Sequence, residues 1–231
     1  MNDNNILPNE DKNIIKTYKF KSNIESKKSR VILLIGQTGN GKTTLINFLV
    51  NALLGVRFKD NYRFKMIIEK KKNEAFSNTE GVHEYNINVR GYPSIKIIDC
   101  QGLGDTKGLV EDKKLLPKLK KLFESIRRIN CICFVINESQ FRLDSLSQYI
   151  YKFILDLFAK DVKKNFVVMI THSHYEKNPE LLNTLKMKES FFSEVIPFLE
   201  APYYFQFENG ALYQREMIPL KKYVLIEVWK I

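Results

Sequence analysis

Cysteine is scarce in this chain: three in 231 residues, at Cys100, Cys131 and Cys133. All three lie in or beside apolar, strand-like runs, and Cys131-Ile132-Cys133 reads as a strand alternation. No second Cys or His pair accompanies them, which excludes a zinc knuckle and leaves reduced core thiols as the expectation. Long apolar runs are missing as well. None approaches the roughly twenty residues that a membrane-spanning helix needs, so no such helix is expected. The start, Met1 to Glu10, is polar and lacks the apolar segment of a signal peptide, so an intracellular, cytoplasmic protein is expected. Internal repeats, zinc fingers and an aromatic-basic RNA-binding signature are also absent. Acidic residues are few beside basic ones, 26 against 37, for a net charge of +11. That surplus invites a nucleic-acid or acidic-membrane partner. The basic residues are spread, however, over Lys70-Lys71-Lys72, Lys113-Lys114, Lys118, Lys120, Lys121 and Lys163-Lys164, as solvated faces and loops. Nucleic acid is therefore not expected as a partner, and peripheral attraction to anionic membranes stays open.

What is present suffices for a core: 44% of residues are hydrophobic, and the length suits one α/β domain. Residues 1–29, rich in Asn, Lys and Ser, read as a polar, flexible lead-in to a domain over 30–231. From Val31 strands and helices alternate, the pattern of a mostly parallel six-stranded sheet with helices on both faces. Strands are expected near 31–36, 83–90, 94–100, 131–137, 165–171 and 203–207. Helices are expected near 42–54, 111–128, 144–160 and 179–196. Gly91-Tyr92-Pro93 joins two of the strands at hairpin length, so one strand should run antiparallel to the rest. Residues 56–80 form a long polar connection of the kind that is functional or disordered. After Pro219, Lys221 to Ile231 reads as a shortened last helix.

Gly36-Gln37-Thr38-Gly39-Asn40-Gly41-Lys42-Thr43 spells G-x-x-x-x-G-K-T directly after the apolar run Val31 to Ile35, and Thr44 to Val50 continues it as a helix. A buried strand, a glycine-rich loop and a helix N-terminus in that order form a phosphate cradle. The glycines let backbone N–H groups from Gly36 through Thr44, including those of Thr38 and Asn40, wrap the phosphates. Lys42 supplies a point charge to the outer phosphates and Thr43 a hydroxyl to Mg²⁺. The motif implies nucleoside triphosphate binding. Ile97-Ile98-Asp99-Cys100-Gln101-Gly102 then places an Asp at a strand end with a glycine three residues on. In GTPases that Asp holds Mg²⁺ through water, and the glycine N–H senses the γ-phosphate. Between the two motifs, Thr79 in Ser77-Asn78-Thr79-Glu80-Gly81 is the candidate hydroxyl for a loop that closes on the metal. The late Asp-Glu of a transporter or helicase ATPase and a Leu-Ser-Gly-Gly-Gln signature are both missing.

With these residues in view, residues 31–210 resemble the septin-related branch of P-loop GTPases, which includes the immunity-associated GTPases and the chloroplast-import receptor GTPases. The matching stretches are VILLIGQTGNGKTTLINFLVN, SNTEGVHEYNI, IKIIDCQGLGDTKGLVEDKK, ITHSH and FENGALY. The segment DCQGLGDT departs from the branch's D-T-P-G-x-x-D-T at Gln101. The resemblance implies a P-loop NTPase G domain, GTP and GDP as ligands, and Mg²⁺ as cofactor. It implies roles in binding the base for His172, lying where ordinary GTPases have a Lys, and for Asn209. The usual Asp position holds His174, so Glu208 is the carboxylate left to take the guanine donors. Leu103 follows Gly102, where fast GTPases carry a water-orienting glutamine. The resemblance therefore implies slow hydrolysis, with Lys42, Thr79, Gly102 and, across a homodimer, Arg142 as catalytic candidates. Alternatives are a non-catalytic nucleotide-binding scaffold and an ATP-dependent P-loop enzyme.

Overall fold

A computed structural model describes residues 15–20, 28–57, 59–67, 82–100, 117, 120–126, 128–139, 145–158, 165–174, 180–185 and 204–208. Among the described residues, seven strands form one sheet: β1 (Ile15–Phe20), β2 (Ser29–Ile35), β3 (Val82–Ile87), β4 (Ser94–Cys100), β5 (Cys131–Asn137), β6 (Phe166–Thr171) and β7 (Tyr204–Phe207). Their order across the sheet is β1-β3-β4-β2-β5-β6-β7. From β2 the chain builds first toward one edge, then crosses to β5 on the other side. The C-terminal end of β2 is therefore a topological switch point, where α/β sheets bind ligands.

Six of these strands lie within two residues of the expected starts, mostly parallel with one antiparallel pair, β3 on β4. The seventh, β1, is a correction. Residues expected as part of a lead-in pair with β3 in parallel, from Ile15 opposite Val82 to Phe20 opposite Ile87. Two strands rather than one thus run against the other five. An edge strand tolerates the lysines at 16 and 19, which discourage edge-to-edge pairing, and the polar neighbourhood hides its pattern. The expected connection between β3 and β4 is present, and Gly91 takes a positive φ of 88° within it.

Burial explains the strand chemistry. β6 is buried along its whole length and β5 through its interior, as strands covered on both faces should be. One face of the sheet packs Leu33, Ile35, Phe134 and Ile170 against Tyr151, Ile154 and Leu155 of α2 (Ser145–Asp156) and Leu181 and Leu185 of α3 (Glu180–Leu185). Phe134 stacks on Phe166 at 5.2 Å and meets Tyr151 edge-on at 5.3 Å. The other face takes α1 (Lys42–Leu53), which buries Leu45, Ile46, Leu49, Val50 and Leu53 over Leu34, Val135, Ile97 and Tyr85. That helix stops where Gly55 adopts φ 70° and its N–H bonds the carbonyl of Ala52 at 3.0 Å. A helical stretch over 120–125 lies within the expected second helix.

The three thiols are free; Cys100 and Cys133 are buried and Cys131 is half-buried. No helix among the described residues is long and apolar enough to cross a membrane.

Candidate functional site

The loop from Gly36 to Gly41 leaves β2 at the switch point and enters α1, and its glycines answer two different demands. At Gly36 the chain presses on β5: a Cβ there would strike the Val135 carbonyl oxygen and sit 3.2 Å from the Val135 Cβ. Gly39 and Gly41 adopt left-handed backbone, at φ 86° and 76°, a region that disfavours a side chain. Gly41 is also the N-cap of α1, with no side-chain cap bond and no acid in the first turn. A helix start of this kind leaves backbone N–H groups and the positive end of the dipole facing outward.

Long-range tethers hold the loop in place. The Asn40 side chain donates to the Val135 carbonyl at 2.8 Å, and the Thr171 hydroxyl donates to the Asn40 carbonyl at 2.8 Å. Strands β5 and β6 therefore clamp the loop from below. Thr38 and Gly39 face solvent, while Thr43 and Thr44 are half-buried at the helix start.

Lys42 is buried, and its ammonium folds back to donate to the carbonyls of Gly36 at 2.7 Å and Gln37 at 3.1 Å. Burial lowers its pKa, with the Asp99 charge opposing that shift. Asp99, near the end of β4, is 1% exposed, and its Oδ1 has no hydrogen-bond partner among the described residues. Desolvation pushes its carboxyl up to about 6 against the pull of Lys42. Burial also drives the Cys100 thiol far above its ordinary value, so that thiol is inert. A buried ammonium and a buried, unsatisfied carboxylate beneath a glycine loop form a costly arrangement without a ligand to complete it.

The other end of the site lies where β6 and β7 finish side by side, with Thr171 opposite Phe207. The next residues, His172 and Glu208, thus leave the sheet at the same pole. His172 is exposed and takes φ 53°, unusual for a residue with a side chain. Ser173 is buried; its hydroxyl lies 3.1 Å from Glu138 Oε1 and 2.9 Å from Gln206 Oε1. The His174 N–H donates to Glu138 Oε2 at 2.7 Å, and its ring is exposed. Glu208 is half-buried.

Of the expected site residues, the structure brings Lys42, Thr43 and Asp99 together with the glycine loop, and places His172 and Glu208 at the adjoining strand ends. Thr79, Gly102, Arg142 and Asn209 lie outside the described residues. Sequence reasoning missed Glu138, which buttresses the Thr171-His172-Ser173-His174 turn, and Thr171 as a loop tether. It also missed His83, buried opposite Asp99 in the β3–β4 ladder and 3.3 Å from the Tyr85 hydroxyl. The available signal was position: Glu138 directly follows β5, and His83 sits four residues past Thr79.

Residues 31–172 match the protein family described as 50S ribosome-binding GTPase. No curated protein matches the chain. Similar solved structures include Toc33 from Arabidopsis thaliana in complex with GDP and Mg²⁺, 19% identical over 79% of this chain and 71% of that one, with a TM-score of 0.51. A dimerization-deficient mutant of the same protein is 19% identical over 79% and 72%, with a TM-score of 0.50. A third structure, described as showing that dimerization is important for the GTPase activity of the chloroplast translocon components atToc33 and psToc159, is 18% identical over 79% and 70%, with a TM-score of 0.53. At these identities the likeness is one of fold.

Proposed function

The chain belongs to the 50S ribosome-binding GTPase family, and we propose that it binds GTP and GDP with Mg²⁺ and hydrolyses GTP slowly. The single observation that carries this reading is the buried pair of Lys42 and the unsatisfied Asp99 at the loop between β2 and α1. The donor set fits the ion: a Thr43 hydroxyl and an Asp99 carboxylate, acting through water, are the hard oxygens that Mg²⁺ prefers. When bound, the ion neutralises charge on the outer phosphate oxygens. The chain's own groups do the rest. Backbone N–H groups of the loop and the α1 start receive the phosphates, and the Lys42 ammonium turns from two carbonyls to phosphate oxygens. Thr79 and Gly102 are proposed to respond to the γ-phosphate. At the base end, His172 stacks on the purine, and Glu208, with Asn209, accepts the guanine hydrogens. Without a glutamine after Gly102, water is poorly oriented in a lone domain. Arg142 is proposed to supply charge across a homodimer that pairs the nucleotide faces, as on the septin-related branch. Titration of Lys42→Ala with a fluorescent GTP analogue tests the site. Binding should be lost; unchanged affinity would place the phosphates elsewhere.

Leu103 favours a second reading, a nucleotide-binding assembly module without turnover, which a single-turnover assay with Mg·GTP separates from the first. The net charge of +11 supports peripheral attraction to anionic membranes, without naming a surface.

A further inference from the structure

Two asparagines sit inside an otherwise apolar helix face. Asn47 and Asn51, one turn apart in α1, are 2% and 3% exposed. Both grip the main chain of the segment that follows the helix. The Asn51 amide donates to the Phe64 carbonyl at 2.7 Å and its oxygen accepts the Phe64 N–H at 2.9 Å. The Asn47 oxygen accepts the N–H groups of Met66 at 2.8 Å and Ile67 at 3.1 Å, and its amide donates to the Ile67 carbonyl at 3.3 Å. The two side chains imitate the edge of a neighbouring strand and lay residues 64–67 along the helix. Met66 and Ile67 pack inward on the core beneath α1.

What this ladder displays is unusual for a protein surface. Tyr62 is 53% exposed and Phe64 43%, with ring centroids 5.7 Å apart and an interplanar angle of 75°. In sequence beside them come Arg57, Lys59, Arg63 and Lys65, against one acid, Asp60, which pairs with Arg57 at 3.4 Å; the Arg63 guanidinium donates to the carbonyls of Asp60 and Tyr62. Aromatics that face water beside cations, one of them on main chain tied to α1, mark an interaction surface.

We infer that Arg57 and residues 59–67 form a docking surface for an anionic lipid bilayer, with Tyr62 and Phe64 entering the interface and the basic side chains meeting the headgroups. The inference rests on the charge-driven membrane reading above and gives it a location. Three features favour a bilayer over other partners. A second copy of this chain would bring like charge against like. The edge-to-face rings form a wedge, whereas stacked nucleic-acid bases need open ring faces in succession. Adding a peptide strand needs free main-chain groups, and those of Phe64 and Ile67 are held by α1. Aromatic rings with cations at their rim suit the headgroup level of a membrane.

The test is co-sedimentation of the whole chain with vesicles of phosphatidylcholine alone and of phosphatidylcholine with phosphatidylserine. The wild-type protein should bind the anionic vesicles and release in high salt, where charge is screened. The double variant Tyr62→Ser, Phe64→Ser should lose roughly ten- to a hundred-fold in partitioning, the loss expected for two interfacial rings. Tyr149→Ser, which removes another exposed ring, should change nothing. If the ring variant is unfolded by thermal melting, the pair Lys59→Glu, Lys65→Glu gives the same readout and should also release. Wild-type binding undiminished in folded variants would overturn this surface while leaving the charge-driven attraction standing. Absence of wild-type binding to anionic vesicles would overturn both.

Discussion

Asp99 shows at the level of one residue how a site is held at the expense of stability. Its carboxyl is buried with an unsatisfied oxygen, and its pKa rises from an ordinary 3.8 to about 6. Between those values the folded chain holds a proton that the unfolded chain has lost. Stability should therefore fall as pH rises through that window, by on the order of 3 kcal/mol at the upper end. Lys42 limits the loss, since its charge lies near enough to pull the other way. Asp99→Asn removes the ionisation. The nucleotide-free variant should melt several degrees above wild type at pH 8, with the gap closing near pH 4. The same variant should lose Mg²⁺-dependent GTP affinity more than affinity measured in EDTA. A variant less stable than wild type at pH 8 would contradict the cost assigned to the buried carboxylate, and one that loses both affinities equally would contradict the metal role. Gly36 works by shape instead: Gly36→Ala meets the Val135 carbonyl and should cost about 1–3 kcal/mol in denaturant unfolding, as overpacking does. A cost near zero would mean the loop can retreat from β5.

At the level of elements, local pieces were legible and the joints between them were not. The strand, glycine loop and helix of the phosphate cradle occupy consecutive residues, so period, glycine spacing and the Lys-Thr pair all speak at once. β1 escaped because its partner, β3, begins more than sixty residues later, and no local period distinguishes a short polar edge strand. The tethers escaped for the same reason: Thr171 to Asn40 and Ser173 to Glu138 join residues 131 and 35 apart in sequence. The roles of the α1 asparagines escaped likewise, because their partners, Phe64, Met66 and Ile67, lie 13 to 20 residues on. Their contribution is measurable. Asn51→Ala strands the Phe64 N–H and carbonyl beneath the loop, which should cost about 1–3 kcal/mol and raise hydrogen exchange at Phe64, while GTP affinity holds. Unchanged exchange at Phe64 would deny the clamp.

For the whole molecule, the switch-point geometry gathers one ammonium, one carboxylate and one helix start at the end of β2, with the β6–β7 ends alongside for a base. That gathering is the physical content of the proposed activity, and the proposal of slow turnover rests on Leu103 standing in sequence where a water-orienting glutamine would be. If paired domains complete the site, turnover per molecule should rise with protein concentration, and Arg142→Ala should flatten the rise with GTP affinity intact. Constant specific activity over a hundred-fold range of concentration, with a monomer in sedimentation, would end the dimer proposal. The measurement closest to the central claim is equilibrium titration of the purified chain with GTP and with ATP, each in Mg²⁺ and in EDTA. GTP with Mg²⁺ is expected to bind most tightly, by about ten-fold or more over ATP, the worth of one well-matched polar contact in a buried site. Failure to bind GTP, equal affinity for ATP, or indifference to Mg²⁺ would contradict a magnesium-dependent GTP site at this loop.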